Sequence, residues 1–566
     1  MECSYCERVC EIPENMNGYC RMYRNEQGAI TENYPDAYLN IYPVSSESIP
    51  MLHFYPNAIF LLISTIGCNF TCEGCISEFQ TTRPGTLQEV LTHYTPDEIL
   101  AIAREGDCKG ITFCLNEPAV SLPTFLRVAQ AAKKEGFLVG CSSNGYMTSR
   151  TLQTLIPYLD FVNIGLKGST DERYRECGAI SADPVYRNVR ILHEAGIAVE
   201  VSVMYINGRE REVYGASERI REISPGIPFQ VMRFMGMHRD LKPLEPTRVQ
   251  GEQLCTGLRS HLDHVFLFNT PATTELDTRC PVCGSTIVHR VFFGPMAARV
   301  LSCRPEGVCT CGYRFPYRGK IDPIFEGETR TLGGYRSIVG VQIIAEILRT
   351  LRVTDETEID RIGKIVIAEG YIRNLQVHMS TIEAYLGMIR YVAGLAHRED
   401  QGNRLTEYMH SIVEDIRKKV AGTGKPRVYV ALSHPLLPLY AVKFENILAE
   451  AAGGNSLNIA VDHKESSKKE FTADEVTALD PEVIFLSGHL APSLADFLVT
   501  CKDLDITCKA ISADKVYLLN AAYGSGTPRW ILGLMEMANI LHPELFHYSL
   551  EEEEVRFDNV INESAW

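Results

Sequence analysis

The sequence predicts an α/β protein with a partial parallel barrel of six βα units, a small Cys-rich metal-binding region and a second α/β domain. Three observations lead to this fold class. Apolar runs alternate with helical patterns from about residue 58 to 235. Twelve of the nineteen cysteines fall into three close groups. From about residue 333, long helical patterns precede another alternation of strands and helices.

Length, composition and charge narrow the classes of function. At 566 residues, with 45% hydrophobic and 22% charged residues, the chain resembles globular proteins of several domains. The net charge of −16 argues against a nucleic-acid partner, because phosphate binding requires clustered Lys and Arg. No apolar run approaches the roughly 18 residues of a membrane span, and the start MECSYCERVC lacks the segments of an export signal. We therefore expect a cytoplasmic protein that binds no membrane.

Shifts in pattern predict four segments. They are an N-terminal Cys-rich extension (1–50), the partial barrel (51–245), a linker region with a zinc-ribbon-like Cys group (246–332) and the second α/β domain (333–566). The predicted barrel strands are Ala58–Ile66, Gly110–Cys114, Leu138–Cys141, Phe161–Leu166, Ala198–Tyr205 and Phe229–Phe234. The predicted helices between them are Thr95–Arg104, Pro123–Glu135, Ser149–Tyr158, Pro184–Ala195 and Arg211–Ile223. In such folds the chemistry lies where the strands end.

The second domain is predicted to begin with helices and to continue as an α/β sheet. Its predicted helices are Tyr335–Leu351, Ile359–Ala396, Asn403–Ala421, Ala441–Ala452, Ser493–Cys501 and Arg529–Leu541. Its predicted strands are Arg427–Leu432, Val483–Leu486 and Lys515–Leu519. The acidic run Glu551–Glu554 is interpreted as a solvated tail.

Cys68, Cys72 and Cys75 lie in one short loop, STIGCNFTCEGC, directly after an apolar strand. Three thiolates on a tight loop suit three corners of a [4Fe–4S] cluster and leave the fourth iron open. The alternatives are a zinc site or incidental cysteines, but a structural zinc site normally needs four protein ligands. The spacing and the strand context favour the cluster.

The Cys-x3-Cys-x2-Cys loop resembles that of the radical SAM superfamily. The strings CSYCERVCEIPENMNGYCRMYRNEQG and PMLHFYPNAIFLLISTIGCNFTCEGC resemble the branch related to pyruvate formate-lyase activating enzymes and the radical SAM proteins of the AmmeMemoRadiSam system. This resemblance covers about residues 1–320. It implies a [4Fe–4S] cluster, S-adenosyl-L-methionine (SAM), anaerobic chemistry and a reductant such as ferredoxin or flavodoxin.

Several strand-end residues match the family motifs one by one. Asn116 and Glu117, in FCLNEPAV, match the motif whose acidic residue binds the SAM amino group, although NEP alone is also ordinary turn chemistry. A charged acceptor suits an ammonium group. The SSNGY stretch matches the third-strand contacts with SAM. Its matching residues are Ser142, Ser143 and Asn144.

Two cationic residues are the further catalytic candidates that the resemblance implies. Lys167, in VNIGLKG, matches a family Lys at the end of the fourth strand, but Gly165 stands where the family usually has Asp. That departure leaves open how the ribose or the substrate is recognised there. Arg233, in QVMRF, is expected to line the same mouth, and the alternative is a salt bridge at the rim.

The flanking cysteine groups predict further metal sites. The N-terminal group, whose members lie within eighteen residues, suits a structural zinc or a second, auxiliary Fe–S cluster: Cys3, Cys6, Cys10 and Cys20. The later group resembles a zinc ribbon, with a second cluster as the alternative: Cys280, Cys283, Cys303, Cys309 and Cys311. Its second knuckle reads CTCG where CxxCG is expected, and Cys303 is a spare ligand.

Residues 336–548 resemble the class III substrate-binding proteins of siderophore, haem and cobalamin transporters, through the order of helices and strands. That resemblance implies a ligand cleft, with His434, Tyr440, Tyr523 and Trp530 as candidate cleft residues. The alternative is a scaffold or dimerisation module.

These observations predict a radical SAM enzyme that cleaves SAM to a 5′-deoxyadenosyl radical and abstracts hydrogen from a substrate. The preferred substrate is a bulky cofactor or metal chelate presented by the second domain. The alternatives are an activase-like enzyme that acts on a protein partner, and a non-catalytic cytosolic carrier or sensor of a metal or cofactor.

Overall fold

The computed structural model describes residues 1–82, 87–236, 239–270, 273–293, 295–322, 335–432, 434–439, 443–460, 471–487 and 493–561. The chain divides into two compact units. The first comprises Met1–Gly236 and Asp240–Ile338, and the second is mainly Val339–Trp566. Within the described ranges, no helix is both long enough and apolar enough to cross a bilayer.

The strands and helices are numbered in chain order. The strands are β1 (Glu2–Cys3), β2 (Cys10–Glu11), β3 (Tyr23–Glu26), β4 (Ala29–Glu32), β5 (Ala37–Tyr38), β6 (Asn40–Ser45), β7 (Ile59–Ser64), β8 (Thr92–His93), β9 (Gly110–Phe113), β10 (Leu138–Ser143), β11 (Phe161–Leu166), β12 (Ala198–Tyr205), β13 (Phe229–Arg233), β14 (Val265–Phe268), β15 (Thr278–Arg279), β16 (Thr286–Phe292), β17 (Ala298–Cys303), β18 (Arg427–Ala431), β19 (Asn455–Ser456), β20 (Val483–Leu486) and β21 (Val516–Leu518). The α-helices are α1 (Glu78–Thr82), α2 (Pro96–Glu105), α3 (Leu122–Lys134), α4 (Ser149–Leu155), α5 (Asp171–Glu176), α6 (Asp183–Glu194), α7 (Glu210–Arg221), α8 (Arg248–Leu258), α9 (Tyr335–Thr350), α10 (Glu356–Ala368), α11 (Leu375–His378), α12 (Ile382–Leu395), α13 (Glu399–Val420), α14 (Phe444–Ala451), α15 (Leu457–Ala460), α16 (Ala473–Leu479), α17 (Leu494–Asp503), α18 (Lys509–Ser512), α19 (Trp530–Leu541) and α20 (Leu550–Val560).

The first unit is organised around an eight-stranded sheet of order β14-β13-β12-β11-β10-β9-β7-β6. All neighbouring strands are parallel except β6, which pairs antiparallel with β7. The α/β class and the six predicted parallel strands are confirmed. The edge strands β6 and β14 were not predicted. β6 contains Pro43, which is tolerated at a sheet edge, and β14 is only four residues long.

Helices cover one face of this sheet because their apolar stripes match its outward side chains. The helix α2 begins at a capping box in which the Thr95 and Glu98 side chains satisfy each other's backbone N–H groups. Its Ile99 packs with Phe125 of α3 and Ile111 of β9 in the largest core. This packing leaves the loops after the strands free to carry functional side chains.

The opposite face of the sheet is partly polar and fully buried. The Ser202 hydroxyl lies 3.0 Å from Asn163 Oδ1 and 2.7 Å from Gln230 Oε1. The Glu200 carboxylate accepts the backbone N–H groups of Leu52 and His53 at 2.9 and 2.7 Å. Burial raises the pKa of Glu200 to about 7, although these hydrogen bonds oppose the shift. The polar layer thus anchors the segment that leads into β7.

The strands β15, β16 and β17 form a small antiparallel sheet within the first unit, and a buried ion pair joins it to the rest of that unit. Arg290 of β16 lies 3.3 Å from the Glu47 carboxylate, and both side chains are fully buried. The Arg290 guanidinium also donates to the Thr278 hydroxyl and the Leu52 carbonyl at 2.8 and 3.0 Å. Glu47 in turn accepts the Asn57 N–H at 2.9 Å. Both charges therefore have full sets of partners.

The second unit combines helices with a four-stranded parallel sheet of order β19-β18-β20-β21. The prediction of one continuous helix over Ile359–Ala396 is wrong. The helical segment is interrupted at Gly370, which has φ of 70°, a left-handed conformation that glycine adopts readily. The acidic run Glu551–Glu554 is not a solvated tail. It lies in α20, where Glu553 is buried and the Tyr408 hydroxyl donates to it at 3.3 Å.

Replacing Arg290 with Ala removes the only cation that the described structure pairs with Glu47. We expect the first unit to lose about 3–5 kcal/mol of unfolding free energy, because a buried carboxylate is left without its partner. The control Arg24→Ala removes an exposed pair with Glu26 and should cost about 0–1 kcal/mol. The comparison is made from urea unfolding curves of the full chain, and equal shifts for both variants would contradict the assigned role of Arg290.

Candidate functional site

The loop that carries Cys68, Cys72 and Cys75 is held in place by one buried amide. Asn116 Nδ2 donates to the Thr65 hydroxyl and to the carbonyls of Ile66 and Gly67, at 2.9, 3.0 and 3.2 Å. Asn116 Oδ1 accepts the Thr65 N–H at 3.1 Å. Because these contacts use both ends of the amide, Asn116 positions the start of the cysteine loop. Its predicted contact with SAM stays a prediction.

Glu117, the next residue, is buried and surrounded by donors. Its carboxylate accepts the N–H groups of Ala119 and Asn144 at 3.0 and 2.8 Å. The Ser143 hydroxyl donates to it at 2.9 Å. Burial raises the pKa of Glu117, while these hydrogen bonds and the charge of Lys167 oppose the shift. Two consecutive strand ends, those of β9 and β10, thus meet at one carboxylate.

The amide of Asn144 connects this carboxylate site to the cysteine loop. Asn144 Nδ2 lies 2.6 Å from Asn69 Oδ1 and 3.7 Å from Cys68 Sγ. The structure therefore brings Ser143 and Asn144 together with Glu117 and Cys68, and their contact with SAM stays a prediction. Ser142 points elsewhere, because its side chain hydrogen bonds to the Cys114 thiol and so lowers the pKa of Cys114, which burial raises.

Lys167, at the end of β11, faces the thiols of the cysteine loop. Burial alone would lower the pKa of Lys167, but the charges of Cys72, Cys75 and Cys68 raise it above its ordinary value. A side chain at Gly165 would lie 3.7 Å from Lys167 Nζ. The absence of the family's Asp thus leaves open space beside the ammonium group.

Cys177 is a functional candidate that sequence reasoning missed. It lies outside the three cysteine groups of the sequence, but its thiol is close enough to Cys72 to lower the pKa of that thiol. The Cys177 carbonyl also accepts the Thr71 N–H at 3.0 Å. Cys177 directly follows α5, more than a hundred positions beyond the loop. No local motif in the sequence could have revealed this contact.

Arg233, at the end of β13, is buried among backbone carbonyls. Its Nε donates to the Asn269 carbonyl and its Nη1 to the Pro246 carbonyl, each at 3.0 Å. The Glu245 carboxylate lies 3.9 Å away. These contacts favour the alternative interpretation of Arg233, a structural ion pair, over a catalytic group.

The N-terminal cysteines share one buried neighbourhood. Cys3 and Cys10 are directly opposite each other in the β1–β2 pair. Burial raises the pKa of Cys20 to about 12, and the charges of Cys6, Cys3 and Cys10 raise it further. All four thiols therefore lie close enough for their charges to interact.

The later cysteine group converges on a single point. The sulfurs of the following four residues all lie within 4.8 Å of one another: Cys280, Cys283, Cys309 and Cys311. Four sulfurs bound tetrahedrally at about 2.3 Å from zinc are about 3.8 Å apart, so the arrangement fits zinc. The N–H groups of Gly284 and Gly312 donate to the carbonyls of Cys280 and Cys309, each at 2.9 Å. Each knuckle is therefore closed by a hydrogen bond from its glycine, and the turn of the CTCG knuckle is one residue shorter.

Cys303, predicted as a spare ligand, lies outside this group of four sulfurs, and its thiol donates to the Arg304 carbonyl at 3.2 Å.

The candidate cleft residues of the second unit have different surroundings. Trp530 is completely buried and packs edge-on against Tyr385 and Phe444, so it is a core residue. His434 caps its own turn by accepting the Leu436 N–H at 3.2 Å. Burial lowers the pKa of His434 to about 4. Tyr440 lies outside the described residues.

Tyr523 lines a pocket at the ends of β20 and β21. Ser487, Asn520, Glu445 and Glu536 contribute its polar wall. Burial raises the pKa of Glu536, and the Asn520 N–H opposes the shift.

Zinc content tests the converging cysteine group. We expect Cys283→Ser to remove about one zinc per chain, because a structural site needs all four ligands. Cys303→Ser is the matched control and should retain the metal. Both are measured by elemental analysis of the purified full chain, and loss of zinc in the control would contradict the ligand set.

Known proteins are similar to the part of the chain that carries this site. A family model described as the Radical SAM superfamily matches residues 62–213. An uncharacterized protein of Methanocaldococcus jannaschii is 27% identical over 308 residues, which are 52% of this chain and 88% of that protein. The residues matched by the family model include the cysteine loop, Glu117 and Lys167.

Solved structures resemble other portions of the chain only partially. A solute-binding protein of an ABC transporter from Sulfurospirillum deleyianum matches 31% of the chain and 56% of its own, with 22% identity and a TM-score of 0.27. Helicobacter pylori CeuE with Ni(II) bound matches 33% and 60%, with 18% identity and a TM-score of 0.29. Streptococcus suis SuiB bound to S-adenosylmethionine matches 36% and 45%, with 13% identity and a TM-score of 0.28. The chain spans less than two thirds of each of these proteins, and no function is transferred from them.

The family match and the geometry agree on the same region. Cys68, Cys72 and Cys75 follow the first parallel strand, and Glu117 and Lys167 follow two later ones. Residues 62–213 therefore form a radical SAM domain, and the protein is an iron–sulfur, S-adenosylmethionine-dependent enzyme.

Proposed function

We propose that this enzyme cleaves SAM reductively and uses the resulting radical to abstract hydrogen from a bulky cofactor or metal chelate. The observation that carries the proposal is the meeting of three loop thiols, a lysine and a buried carboxylate at the ends of neighbouring parallel strands. The cofactor supplies the difficult chemistry in such enzymes, and the protein supplies binding and orientation.

The residues present fit a [4Fe–4S] cluster. Cys68, Cys72 and Cys75 are soft thiol donors on one loop, and each of them affects the pKa of Lys167. They would hold three irons of the cluster, which when reduced supplies the electron that splits SAM into methionine and a 5′-deoxyadenosyl radical. The Lys167 ammonium would balance part of the negative charge that three thiolates bring into a buried site.

The residues around Glu117 would bind and orient SAM. The carboxylate already has three donors from Ala119, Ser143 and Asn144, so its direction is set before the cosubstrate arrives. An anionic acceptor that is partly desolvated forms a strong hydrogen bond with an ammonium group. Asn116 supports this arrangement indirectly, because it fixes the loop on which the cluster ligands lie.

The second unit is proposed to bind the substrate. A polar pocket of about 20 Å³, with room for about one water, lies at the carboxyl ends of β20 and β21, the edge at which ligands bind in open parallel sheets, so a bulky ligand would require this edge to open. The carboxylates of Glu445 and Glu536 in its wall would favour a cationic ligand or a metal complex. The partners of this scheme are that substrate and a low-potential reductant such as ferredoxin or flavodoxin. Action on a protein substrate, and a carrier or sensor role for the second unit, are the alternatives.

Turnover of SAM tests the proposed reaction. Anaerobically reconstituted protein should form 5′-deoxyadenosine when dithionite and SAM are added, as measured by chromatography. Cys72→Ala should form none, since one cluster ligand is lost. Cys508→Ala, which changes a buried thiol of the second unit, should retain turnover. If wild-type protein with a loaded cluster forms no product, the proposed reaction is wrong.

SAM binding tests the role of Glu117. Glu117→Gln keeps the size of the side chain but removes the charge that faces the SAM ammonium group. We expect binding to weaken roughly 10- to 100-fold, the value of one charge-assisted hydrogen bond. Equilibrium dialysis of SAM against the reconstituted protein measures this effect. The exposed residue Glu98 provides the control Glu98→Gln, and unchanged affinity in Glu117→Gln would rule out the assigned role.

A further inference from the structure

The N-terminal extension packs directly onto the cysteine loop of the radical SAM domain. Arg8 Nε donates to the Asn69 carbonyl at 2.9 Å, and Arg8 Nη2 donates to the Gly178 carbonyl. The Arg8 guanidinium also lies 3.4 Å above the Tyr19 ring. One cation thus connects the extension both to the loop that carries the proposed cluster ligands and to the segment that follows α5.

A second contact leaves no space between the extension and the loop. Gly67, which directly precedes Cys68, has φ of 80°. A side chain at this position would lie 2.6 Å from Met22 Cγ and 3.6 Å from the Cys20 carbonyl. The backbone of the N-terminal cysteine group therefore lies against the backbone of the cysteine loop.

The side chain of Asn69 lies beside both thiol groups. Asn69 is completely buried, and its Oδ1 lies 3.8 Å from Cys68 Sγ. Its Nδ2 has no hydrogen-bond partner of regular geometry in the part of the chain that the structure describes. The Cys6 side chain is a neighbour of this amide. A buried donor next to the N-terminal thiol group is therefore left without an acceptor among the described residues.

The spacing of the N-terminal thiols differs from that of the zinc-like group. Among the residues that the structure describes, the ribbon sulfurs are the group that converges to within 4.8 Å. Within the described residues, neither the N-terminal thiols nor those of Cys68, Cys72 and Cys75 form such a group. In an iron–sulfur cluster the cysteine thiolates are distributed over two or more iron atoms. Their sulfurs therefore stand farther apart than four sulfurs around a single zinc ion.

We propose that Cys3, Cys6, Cys10 and Cys20 hold a second iron–sulfur cluster that passes electrons to the radical SAM cluster. Four cysteine thiolates are the usual ligand set of such clusters. The Asn69 N–H would donate to a sulfur of the second cluster while its oxygen faces Cys68. The electron-transfer role rests on the proposed function of the cysteine loop, whereas the second cluster itself does not.

The proposed step moves one electron. A low-potential one-electron donor, such as flavodoxin hydroquinone, is oxidised as the N-terminal cluster is reduced. The N-terminal cluster is then reoxidised as the radical SAM cluster is reduced. No bond is formed or broken in this step, and the electron becomes available for the cleavage of SAM.

Metal content gives the first test. Anaerobically reconstituted full chain should contain iron beyond the roughly four atoms of one cubane, with matching sulfide, and about one zinc at the ribbon. The double variant Cys6→Ser/Cys20→Ser should lose only the additional iron and sulfide. Retained zinc, and a retained change of the radical SAM cluster's EPR spectrum when SAM is added, would show that this variant is folded. Cys108→Ala, a buried thiol outside the three groups, is the matched control.

Two outcomes of this measurement would contradict the proposal of a second cluster. One is a second zinc in place of the additional iron, and the other is unchanged iron in the double variant. Both are independent of whether SAM is cleaved, so they separate this proposal from the proposed reaction.

Reduction kinetics test the electron-transfer role. Freeze-quench EPR should show that flavodoxin hydroquinone reduces the radical SAM cluster in wild-type protein and that this reduction is lost in Cys6→Ser/Cys20→Ser. Photoreduction with deazaflavin should still reduce that cluster in the variant. Flavodoxin-driven reduction at the wild-type rate in the variant would show that electrons do not pass through the N-terminal group.

Discussion

The arrangement of the site depends on how the Asn116 amide binds the backbone of the cysteine loop. A loop of irregular backbone at the end of a buried strand has few internal hydrogen bonds, and the Asn116 side chain supplies several of them. Its neighbour Glu117 gathers donors from the next strand end. One dipeptide at the end of β9 therefore sets both the position of the thiols and the direction of the nearest carboxylate.

The protein presents thiols in two different environments. Around Lys167 the thiols of the cysteine loop are half-buried and interact with a cation. In the ribbon, Cys280 and Cys309 are buried, Cys283 and Cys311 are exposed, and the knuckle backbone brings the four sulfurs together. The first environment suits a centre whose charge changes in the reaction, and the second suits an ion that holds a small sheet in shape.

Much of the fold could be predicted because the parallel strands are continuous apolar runs, as burial on both faces requires. The cysteine loop and Glu117 could be predicted from local spacing. The edge strand β6 could not, because Pro43 interrupts its strand signal. The contact between Cys177 and Cys72 could not either, because it depends on how a distant helix end packs. Local patterns thus predict which residues carry the chemistry, while long-range packing decides which residues surround them.

The contacts of Tyr23 show that the radical SAM domain depends on residues that precede the segment matched by the family model. Its hydroxyl donates to the Ala119 carbonyl at 2.8 Å and accepts the Leu122 N–H at 2.9 Å, so it supports the turn that follows Glu117. The strand β6, which completes the sheet edge beside β7, also lies before residue 62. A fragment trimmed to the boundaries of the family match would expose that edge and release the turn. The segment that the family model matches therefore packs against chain that precedes it, and a shortened enzyme has to keep the sequence from at least Tyr23 onward.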